Sequence, residues 1–451
     1  MKHIDMIHVP IKLARNTYTY SGHYCNAPMI KNNTIMRKKI KNIYFYLIIA
    51  GITMSCTPQG HSTHTPQPIG ANDNIVTIDL EQDFQKEYLH RSSYFSKATP
   101  IVLEAHDKAL LGDVSKIDTY DNYIFVFDIR FAKGLYIFDK TGKFIRQIGQ
   151  KGQGPGEYLE INDFTIDEDN QHVYILDEKL SRVSCYNISD GEFIKSIDIY
   201  NKGVRSFYIQ YANGRLYADA NPSGSSDEEY SLREIDLNTG EQIGCWLETE
   251  KYNIGYDWRA AGNLVPQNPF YKLPYSGVTF STVFSDTIIS ISDSGLKPFM
   301  VGKSKNFMNK GSLERHKKDG KVDIFSLVKA DETFSIKPVF ETEDIICFTY
   351  QTEDSHRYAM YNKNAQSYKI ETVFFDDIVY KIDLDKHEIG LSTWIIHADK
   401  GGVYAAVREY DFERFFNLIK NNQLNLPEAE MEKLRQLDAD SNPVLFYYEY
   451  K

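Results

Sequence analysis

Residues 142–158 read Gly-Lys-Phe-Ile-Arg-Gln-Ile-Gly-Gln-Lys-Gly-Gln-Gly-Pro-Gly-Glu-Tyr. The first part reads as the last strand of one β-unit, and the glycine-rich part as the crossing to the next unit. Glycine adopts positive φ without steric cost and proline restricts φ, so this segment can follow a sharply shaped path. The predicted structural loop consists of Gly152, Gly154, Pro155, Gly156 and Glu157. Glu157 is expected to accept hydrogen bonds from loop amides rather than to act as an acid.

The same arrangement of short β-runs and turns recurs along the chain. Three units of four runs each occupy residues 114–148, 163–197 and 205–244. One turn glycine recurs every 49 residues, at Gly142, Gly191 and Gly240. Less regular units follow within residues 278–301, 337–375 and 393–407. Four short strands at this spacing are typical of a propeller blade, so the sequence predicts an all-β fold, a six-bladed β-propeller of four-stranded antiparallel blades.

The C-terminal part departs from the repeat. Residues 411–437 have a helical pattern and predict a helical insertion near the C-terminus. The last run, 443–450, predicts a strand, and the early run 75–80 is expected to pair near it. Such pairing would close the ring between the two ends of the chain and leave no long open edge.

The charge distribution excludes one class of partner. The chain carries a net charge of -11, with 51 Lys and Arg against 62 Asp and Glu. Most basic residues of the first 55 positions are unmatched by acids, so the remainder is more acidic still. An acidic body lacks the basic surface that phosphate contacts require, which argues against nucleic acid as a partner.

The N-terminal region resembles a bacterial lipoprotein signal. Four basic residues precede the apolar run 43–52, which is too short to span a bilayer but typical of a signal-peptide core. Ser55 and Cys56 follow, and the resemblance implies that Cys56 is the lipidated residue of the mature protein. The predicted organisation is a mis-assigned extension at 1–35, a signal peptide at 36–55, a flexible tether at 56–73 and the propeller domain at 74–451.

Several motifs resemble a known family. The crossing described above, followed by Asp163-Phe-Thr-Ile-Asp and Val173-Tyr-Ile-Leu-Asp, resembles an NHL-type repeat. Residues 75–451 are similar to the six-bladed β-propeller lipoproteins of Gram-negative gut anaerobes, a family largely of unknown function. The resemblance implies the propeller fold and an outer-membrane lipoprotein that faces the periplasm or the cell surface. It implies no substrate.

Propeller topology suggests where a ligand would bind. Crossings between blades share one face with the turns between second and third strands, and long loops on a rigid scaffold commonly carry function. The candidate ligand-binding residues in these loops are Arg130, Lys151, Tyr158, Asp177, Tyr252, Tyr256, Trp258 and Arg259. Aromatic rings beside Arg and Asp suit stacking on sugar rings or holding an extended peptide.

No enzyme motif stands out, and no catalytic residue is assigned. We therefore expect a monomeric, non-catalytic binding module for a glycan or peptide, which needs no cofactor and meets the membrane only through its lipid anchor. One alternative is a metal-assisted lyase or hydrolase, with calcium or zinc at the channel mouth. Another is a scaffold that binds other envelope proteins.

Overall fold

The computed structural model describes residues 64–451 except 73, 83–88, 202, 223–227, 254–266, 324–325, 328, 353–354, 372–373, 382–390, 392 and 439. Its elements are mostly β-strands, which form six four-stranded antiparallel sheets in a propeller ring. The predicted fold class is therefore confirmed.

Blades 1 to 3 follow the regular repeats. Blade 1 contains the strands Lys116–Tyr120, Tyr123–Asp128, Gly134–Asp139 and Phe144–Ile148. Blade 2 contains Asp163–Asp167, His172–Asp177, Arg182–Asn187 and Phe193–Asp198. Blade 3 contains Ile209–Ala212, Arg215–Asp219, Tyr230–Ile235 and Gln242–Glu248. Short pairs join Gln150–Lys151 to Glu157–Tyr158 and Val204–Arg205 to Asn221–Pro222.

Blades 4 to 6 are less regular. Blade 4 contains Phe270–Leu273, Gly277–Phe280, Thr287–Ser292 and Gly295–Lys303. Blade 5 contains Phe334–Glu341, Ile345–Thr352, Ser355–Asn362 and Ser367–Glu371. Blade 6 contains Trp394–Ala398, Gly402–Ala406, Val444–Tyr450 and Phe95–Val102. Short strands Leu89–His90 and Phe374–Phe375 pair, as do Lys317–Lys318 and Lys321–Val322.

The helices lie in the connections. Within the described residues they include the α-helices Thr249–Tyr252, Lys310–Arg315, Phe412–Lys420 and Glu428–Leu434, and the 3-10 helices Arg91–Ser93 and Glu409–Asp411. The last two α-helices confirm the predicted insertion. Their buried residues Phe415, Ile419, Met431 and Leu434 pack into the core between blades 5 and 6.

The apolar runs are continuous because each blade is buried on both faces. In the second strand of blade 1, Ile124 and Val126 pack against blade 6, whereas Phe125 and Phe127 pack against blade 2. Successive strand residues point to opposite faces, so both sets must be apolar. One hydrophobic cluster lies between each pair of neighbouring blades. These six interfaces form the core of the propeller.

The strand that closes the ring differs from the one predicted. Phe95–Val102 pairs antiparallel with the C-terminal strand Val444–Tyr450, and so the two chain ends complete blade 6. The run 75–80 contributes instead the strand Val76–Asp79, which adds in parallel to the outer strand Gly295–Lys303 of blade 4. The prediction for residues 75–80 was wrong because a short apolar run carries no information on which of several open sheet edges it joins.

Residues 64–72 lie within the predicted tether, and the structure places them along the propeller. The amide of Gln67 donates to the carbonyl of Cys245 at 2.8 Å, and the amide of Gly70 donates to the carbonyl of Leu296 at 2.7 Å. Both carbonyls belong to outer strands, whose free edge groups can pair with a passing backbone. Cys56 and the predicted signal peptide lie outside the described residues. Within the described part, no helix is long and apolar enough to cross a membrane.

Candidate functional site

One face of the propeller carries the long connections. Since the strands of a blade are antiparallel, crossings between blades share a face with the turns between second and third strands. These connections span residues 103–115, 149–162, 199–208, 249–269, 304–333, 372–393 and 407–443. The opposite face carries short turns such as 121–122 and 213–214. The loop-rich face that the sequence predicts is therefore present.

A cavity of about 690 Å³ lies on the propeller axis. First strands of all six blades contribute to its wall, including Lys116, Asp163, Gln210, Lys272, Lys337 and His397. Residues that precede first strands also line it, including Asn162, Tyr208 and Asn268. The cavity therefore extends towards the loop-rich face. Its volume lies in the range of small-molecule sites, roughly 300–1,000 Å³.

Two lysine–carboxylate pairs connect different blades across this cavity. Lys116 Nζ lies 2.7 Å from Asp163 Oδ1, and Lys272 Nζ lies 3.6 Å from Asp118 Oδ1. Burial alone would raise the pKa of the Asp118 carboxyl, but the nearby Lys272 ammonium helps to hold that pKa below its ordinary value. The wall of blades 1, 2 and 4 is therefore charged, and its charges are paired.

His397 approaches the same carboxylate from blade 6. Its Nε2 atom lies 3.0 Å from Thr119 Oγ1 and 3.9 Å from Asp118 Oδ1. Burial lowers the pKa of His397, so its imidazole is neutral at pH 7. A neutral imidazole beside a carboxylate can accept a hydrogen bond or a proton from a ligand hydroxyl.

The wall formed by blades 5 and 6 includes an exposed aromatic ring beside polar groups. Trp394, at the start of the first strand of blade 6, is 39% exposed although it lines the cavity. Its ring meets His356 edge to face, with 5.0 Å between ring centroids. Lys337 and Tyr358 of blade 5 line the same wall. An aromatic face, a cation and a phenol are therefore available to a ligand on this side.

Arg91 connects the segment before the closing strand to this wall. Its side chain is buried, with Nη1 3.2 Å from Asp376 Oδ2 and 2.9 Å from Thr393 Oγ1. The guanidinium lies over the rings of Tyr448, at 4.6 Å, and Phe374, at 5.5 Å. Arg91 therefore holds the cavity wall together where the two chain ends meet.

Two residues that the sequence suggests as ligand contacts are buried in the scaffold. Tyr158 is 2% exposed and packs between blades 1 and 2. Asp177 Oδ2 accepts a hydrogen bond from the amide of Leu159 at 2.6 Å, and its Oδ1 accepts one from the amide of Leu180 at 3.1 Å. The Asp177 carboxylate therefore shapes the crossing, and neither residue lines the cavity.

The other described candidates lie apart from the cavity wall. Arg130 is half-exposed and pairs with Glu409 at 3.4 Å, Lys151 is exposed, and Tyr252 is half-buried at the end of a short helix. The remaining candidates, Tyr256, Trp258 and Arg259, lie outside the described residues. The structure does not bring the described candidates together around the cavity.

Glu157 organises the hydrogen bonds of the glycine-rich loop. Its Oε2 accepts a hydrogen bond from the Gly154 amide at 2.6 Å, which lowers the pKa of its carboxyl, and its Oε1 accepts one from Gln150 Nε2 at 2.8 Å. A Cβ atom on Gly152 would lie 2.0 Å from that carboxylate. Gly156 adopts φ of +73°, which favours glycine. This loop therefore has a structural role.

Sequence reasoning did not single out the residues that line the cavity. These residues include Lys116, Asp118, Asp163, Lys272, Lys337, Trp394 and His397. A usable signal exists, because charged residues interrupt the first apolar run of several repeats, as in Lys116-Ile-Asp118 and Lys337. A charge within a strand that is otherwise buried indicates a face turned towards water or a ligand.

The described His, Cys, Asp and Glu side chains do not gather into a metal centre. Among the described residues, no group of three or more His, Cys, Asp or Glu side chains could hold a metal ion. The described cysteines Cys185, Cys245 and Cys347 are buried and free, and burial raises the pKa of Cys185 and of Cys245 to about 11. These thiols are protonated at neutral pH and behave as core residues.

Two solved structures show a related architecture. A Bacteroides fragilis protein described as an inferred exported protein superimposes with a TM-score of 0.63 and 19% identity, covering 84% of this chain and 100% of that chain. A member of the DUF4221 family from Bacteroides vulgatus gives a TM-score of 0.44 and 12% identity, covering 79% and 97%. The first similarity shows a shared fold, and the second is too low to support an argument.

The family assignment comes from the sequence itself. A search of curated proteins finds no match to this chain. A family model described as a domain of unknown function, DUF4934, matches residues 75–449. That span runs from the parallel strand on blade 4 to the C-terminal strand of blade 6 and so includes every blade. The chain therefore belongs to the DUF4934 family, whose description names no activity.

Proposed function

We propose that this propeller is a cell-envelope lipoprotein that binds a saccharide in its axial cavity, entered from the loop-rich face, without catalysis. The observation that carries the proposal is Trp394, an indole 39% exposed inside a cavity of about 690 Å³. Large apolar side chains in a cavity wall are normally covered by other side chains. An uncovered one provides a surface on which a ligand can pack.

The neighbours of Trp394 suit a sugar. Sugars present C–H faces that stack on aromatic rings and hydroxyl groups that need hydrogen-bond partners on their edges. The edge-to-face contact with His356 orients the indole before a ligand arrives, which reduces the entropy lost on binding. Gln210, Asn268 and the carboxylate of Asp118 supply polar groups elsewhere in the wall. The combination of one aromatic face and dispersed polar groups is the usual composition of a ligand pocket.

The first prediction concerns Trp394. Replacement Trp394→Ala removes the stacking surface and is expected to weaken saccharide binding by about tenfold or more, the effect of losing a central aromatic contact. The measurement is a screen of the purified full chain against an array of neutral and acidic glycans, with dissociation constants of the best ligands determined by calorimetry. Bound ligand should also raise the melting temperature.

Tyr410→Ala is the matched control, because Tyr410 is a 68% exposed aromatic residue that does not line the cavity. It should bind like the parent chain. Equal affinities for the two variants would contradict the assignment of the site, and an array without any bound glycan would contradict the saccharide proposal. Binding of peptides but not of glycans would show that the cavity is a peptide site. Cleavage of a sugar in the same mixtures would favour the enzyme alternative.

The second prediction concerns the anchor. Replacement Cys56→Ala removes the thiol that the signal would acylate, and it is expected to move the protein from the membrane fraction to the soluble fraction of the cell, because stable attachment depends on the acyl chains. Cys25→Ala is the control, since residue 25 precedes the predicted start at Met36 and should change nothing. Retention of the Cys56→Ala protein in membranes would show that another segment anchors it.

A further inference from the structure

We propose that Lys337 makes the cavity selective for an acidic saccharide, whose carboxylate it binds while the sugar ring stacks on Trp394. This inference rests on the proposed function. It identifies Lys337 as a specificity-determining residue and a carboxylated sugar, such as a uronic acid, as the ligand class.

The cations of the cavity wall differ in whether they have a partner. They are Arg91, Lys116, Lys272, Lys337 and Arg408. Four of them lie within 4 Å of a carboxylate: Arg91 of Asp376, Lys116 of Asp163, Lys272 of Asp118 and Arg408 of Asp113. Within the described residues, Lys337 has no such partner. Among the described residues, Lys337 is therefore the cation of this wall that has no carboxylate partner.

The Lys337 side chain is placed at the cavity by the sheet of blade 5. It lies on the first strand of blade 5, opposite Thr349 of the second strand, which in turn lies opposite Tyr358 of the third. All three line the cavity, where Lys337 is half-buried beside Pro338 and Val339. An ammonium withdrawn from water without a partner is unfavourable, and burial accordingly lowers the pKa of Lys337. A bound anion would remove this cost.

The charges of the cavity wall favour one type of anion. The four paired cations already have carboxylate partners, and Lys272 has a second one in Glu168 on the short-turn side. Among the described residues of the wall, Lys337 is the cation without a carboxylate within 4 Å, and one ligand carboxylate would be enough to pair with it. A dianion such as a phosphate ester would be repelled by the carboxylates of Asp118 and Asp163 in the same cavity. The single ammonium of Lys337 would offset only part of this repulsion. A carboxylate on a sugar ring satisfies both the ammonium and the indole.

The test compares acidic sugars with neutral ones that have the same ring. The probes are a galacturonate trisaccharide and its methyl ester, and a glucuronate disaccharide and its glucose counterpart, each titrated into the full chain. We expect the acidic member to bind at least tenfold more tightly. Lys337→Met should abolish this difference, and Lys337→Arg should retain it. Lys369→Met removes an exposed lysine from the outer strand of the same blade and should leave the difference unchanged.

Equal binding of acidic and neutral sugars, with no effect of Lys337→Met, would overturn the inference and leave the proposed function standing. Absence of binding by any saccharide on the array would overturn both. A melting experiment gives an independent readout without ligand: Lys337→Met should melt higher than the parent chain, because it removes an unbalanced charge, whereas Lys369→Met should not. A lower melting temperature for Lys337→Met would contradict the charge argument.

Discussion

A chain that begins at Leu103, and so lacks the closing strand Phe95–Val102, is expected not to fold. That strand forms the outer edge of blade 6 and buries Phe95, Ala98 and Ile101 against neighbouring elements. Its loss removes several buried side chains at about 1–3 kcal/mol each and a ladder of hydrogen bonds at about 1 kcal/mol each. The sum approaches the whole stability of a typical protein, about 5–15 kcal/mol. Circular dichroism and size-exclusion chromatography of the expressed fragment would show the loss.

The matched truncation begins at Leu89, so it keeps the closing strand Phe95–Val102 but, like the fragment from Leu103, lacks the strand Val76–Asp79. This strand joins the outside of blade 4 in parallel, where Ile78 is fully buried, so its removal should lower the melting temperature. The ring remains closed by the two chain ends, however, and the fragment should fold cooperatively. If the fragment from Leu103 folded as well as the one from Leu89, the pairing of Phe95–Val102 with the C-terminal strand would not be what closes the propeller.

Replacement Asp128→Ala is expected to destabilise the protein by roughly 3 kcal/mol or more, because several backbone amides lose their acceptor and each buried unsatisfied donor costs about 1–3 kcal/mol. Asp128 is fully buried at the end of the second strand of blade 1. Its Oδ2 accepts hydrogen bonds from the amides of Gly112, at 2.9 Å, and Asp113, at 3.2 Å, and its Oδ1 accepts them from the amides of Arg130 and Phe131, both at 2.9 Å. Alanine would leave these donors without an acceptor. Equilibrium unfolding in denaturant measures the change.

Asp139→Ala is the control in the same blade. Asp139 also accepts backbone hydrogen bonds, from Thr141 at 2.8 Å and Lys143 at 3.1 Å, but it lies in a partly exposed turn where water can replace it. Its loss should cost about 1 kcal/mol. A cost for Asp128→Ala no larger than this would show that the buried carboxylate is not essential to the crossing. Asp177 occupies the equivalent place in blade 2, so the same reasoning assigns it to the scaffold.

Most of the fold could be predicted because its signals are local and repeated. Gly142, Gly191 and Gly240 occupy the turn between third and fourth strands in three successive blades, with φ of +93°, +80° and +78°. Runs such as 124–127 are apolar at every position since both faces of the strand are covered by neighbouring blades. Turn geometry and burial on two faces therefore produce the same residue pattern in each unit, and the repetition makes this pattern recognisable in the sequence.

The candidate site could not be predicted to the same extent. Lys116, Lys272 and Lys337 belong to the first strands of three different blades and come together because the ring closes around its axis. The long loops of the sequence suggest residues such as Tyr158 as ligand contacts, but Tyr158 packs in the core between blades 1 and 2. A charge within an apolar run shows that a strand has an unusual neighbour, but it does not reveal whether that neighbour is another side chain or a ligand.

The sequence by itself determined the blade repeat, the number of blades and the C-terminal helices, because hydrophobic period and turn residues act within a few positions of one another. Only the tertiary structure decided that Phe95–Val102 closes blade 6 and that Trp394 and Lys337 share one wall of a cavity. Strand edges are chemically alike, so which edge a strand joins depends on the geometry of the complete ring. The pairing of charges on the propeller axis likewise depends on distances between residues that belong to different blades and lie far apart in the chain.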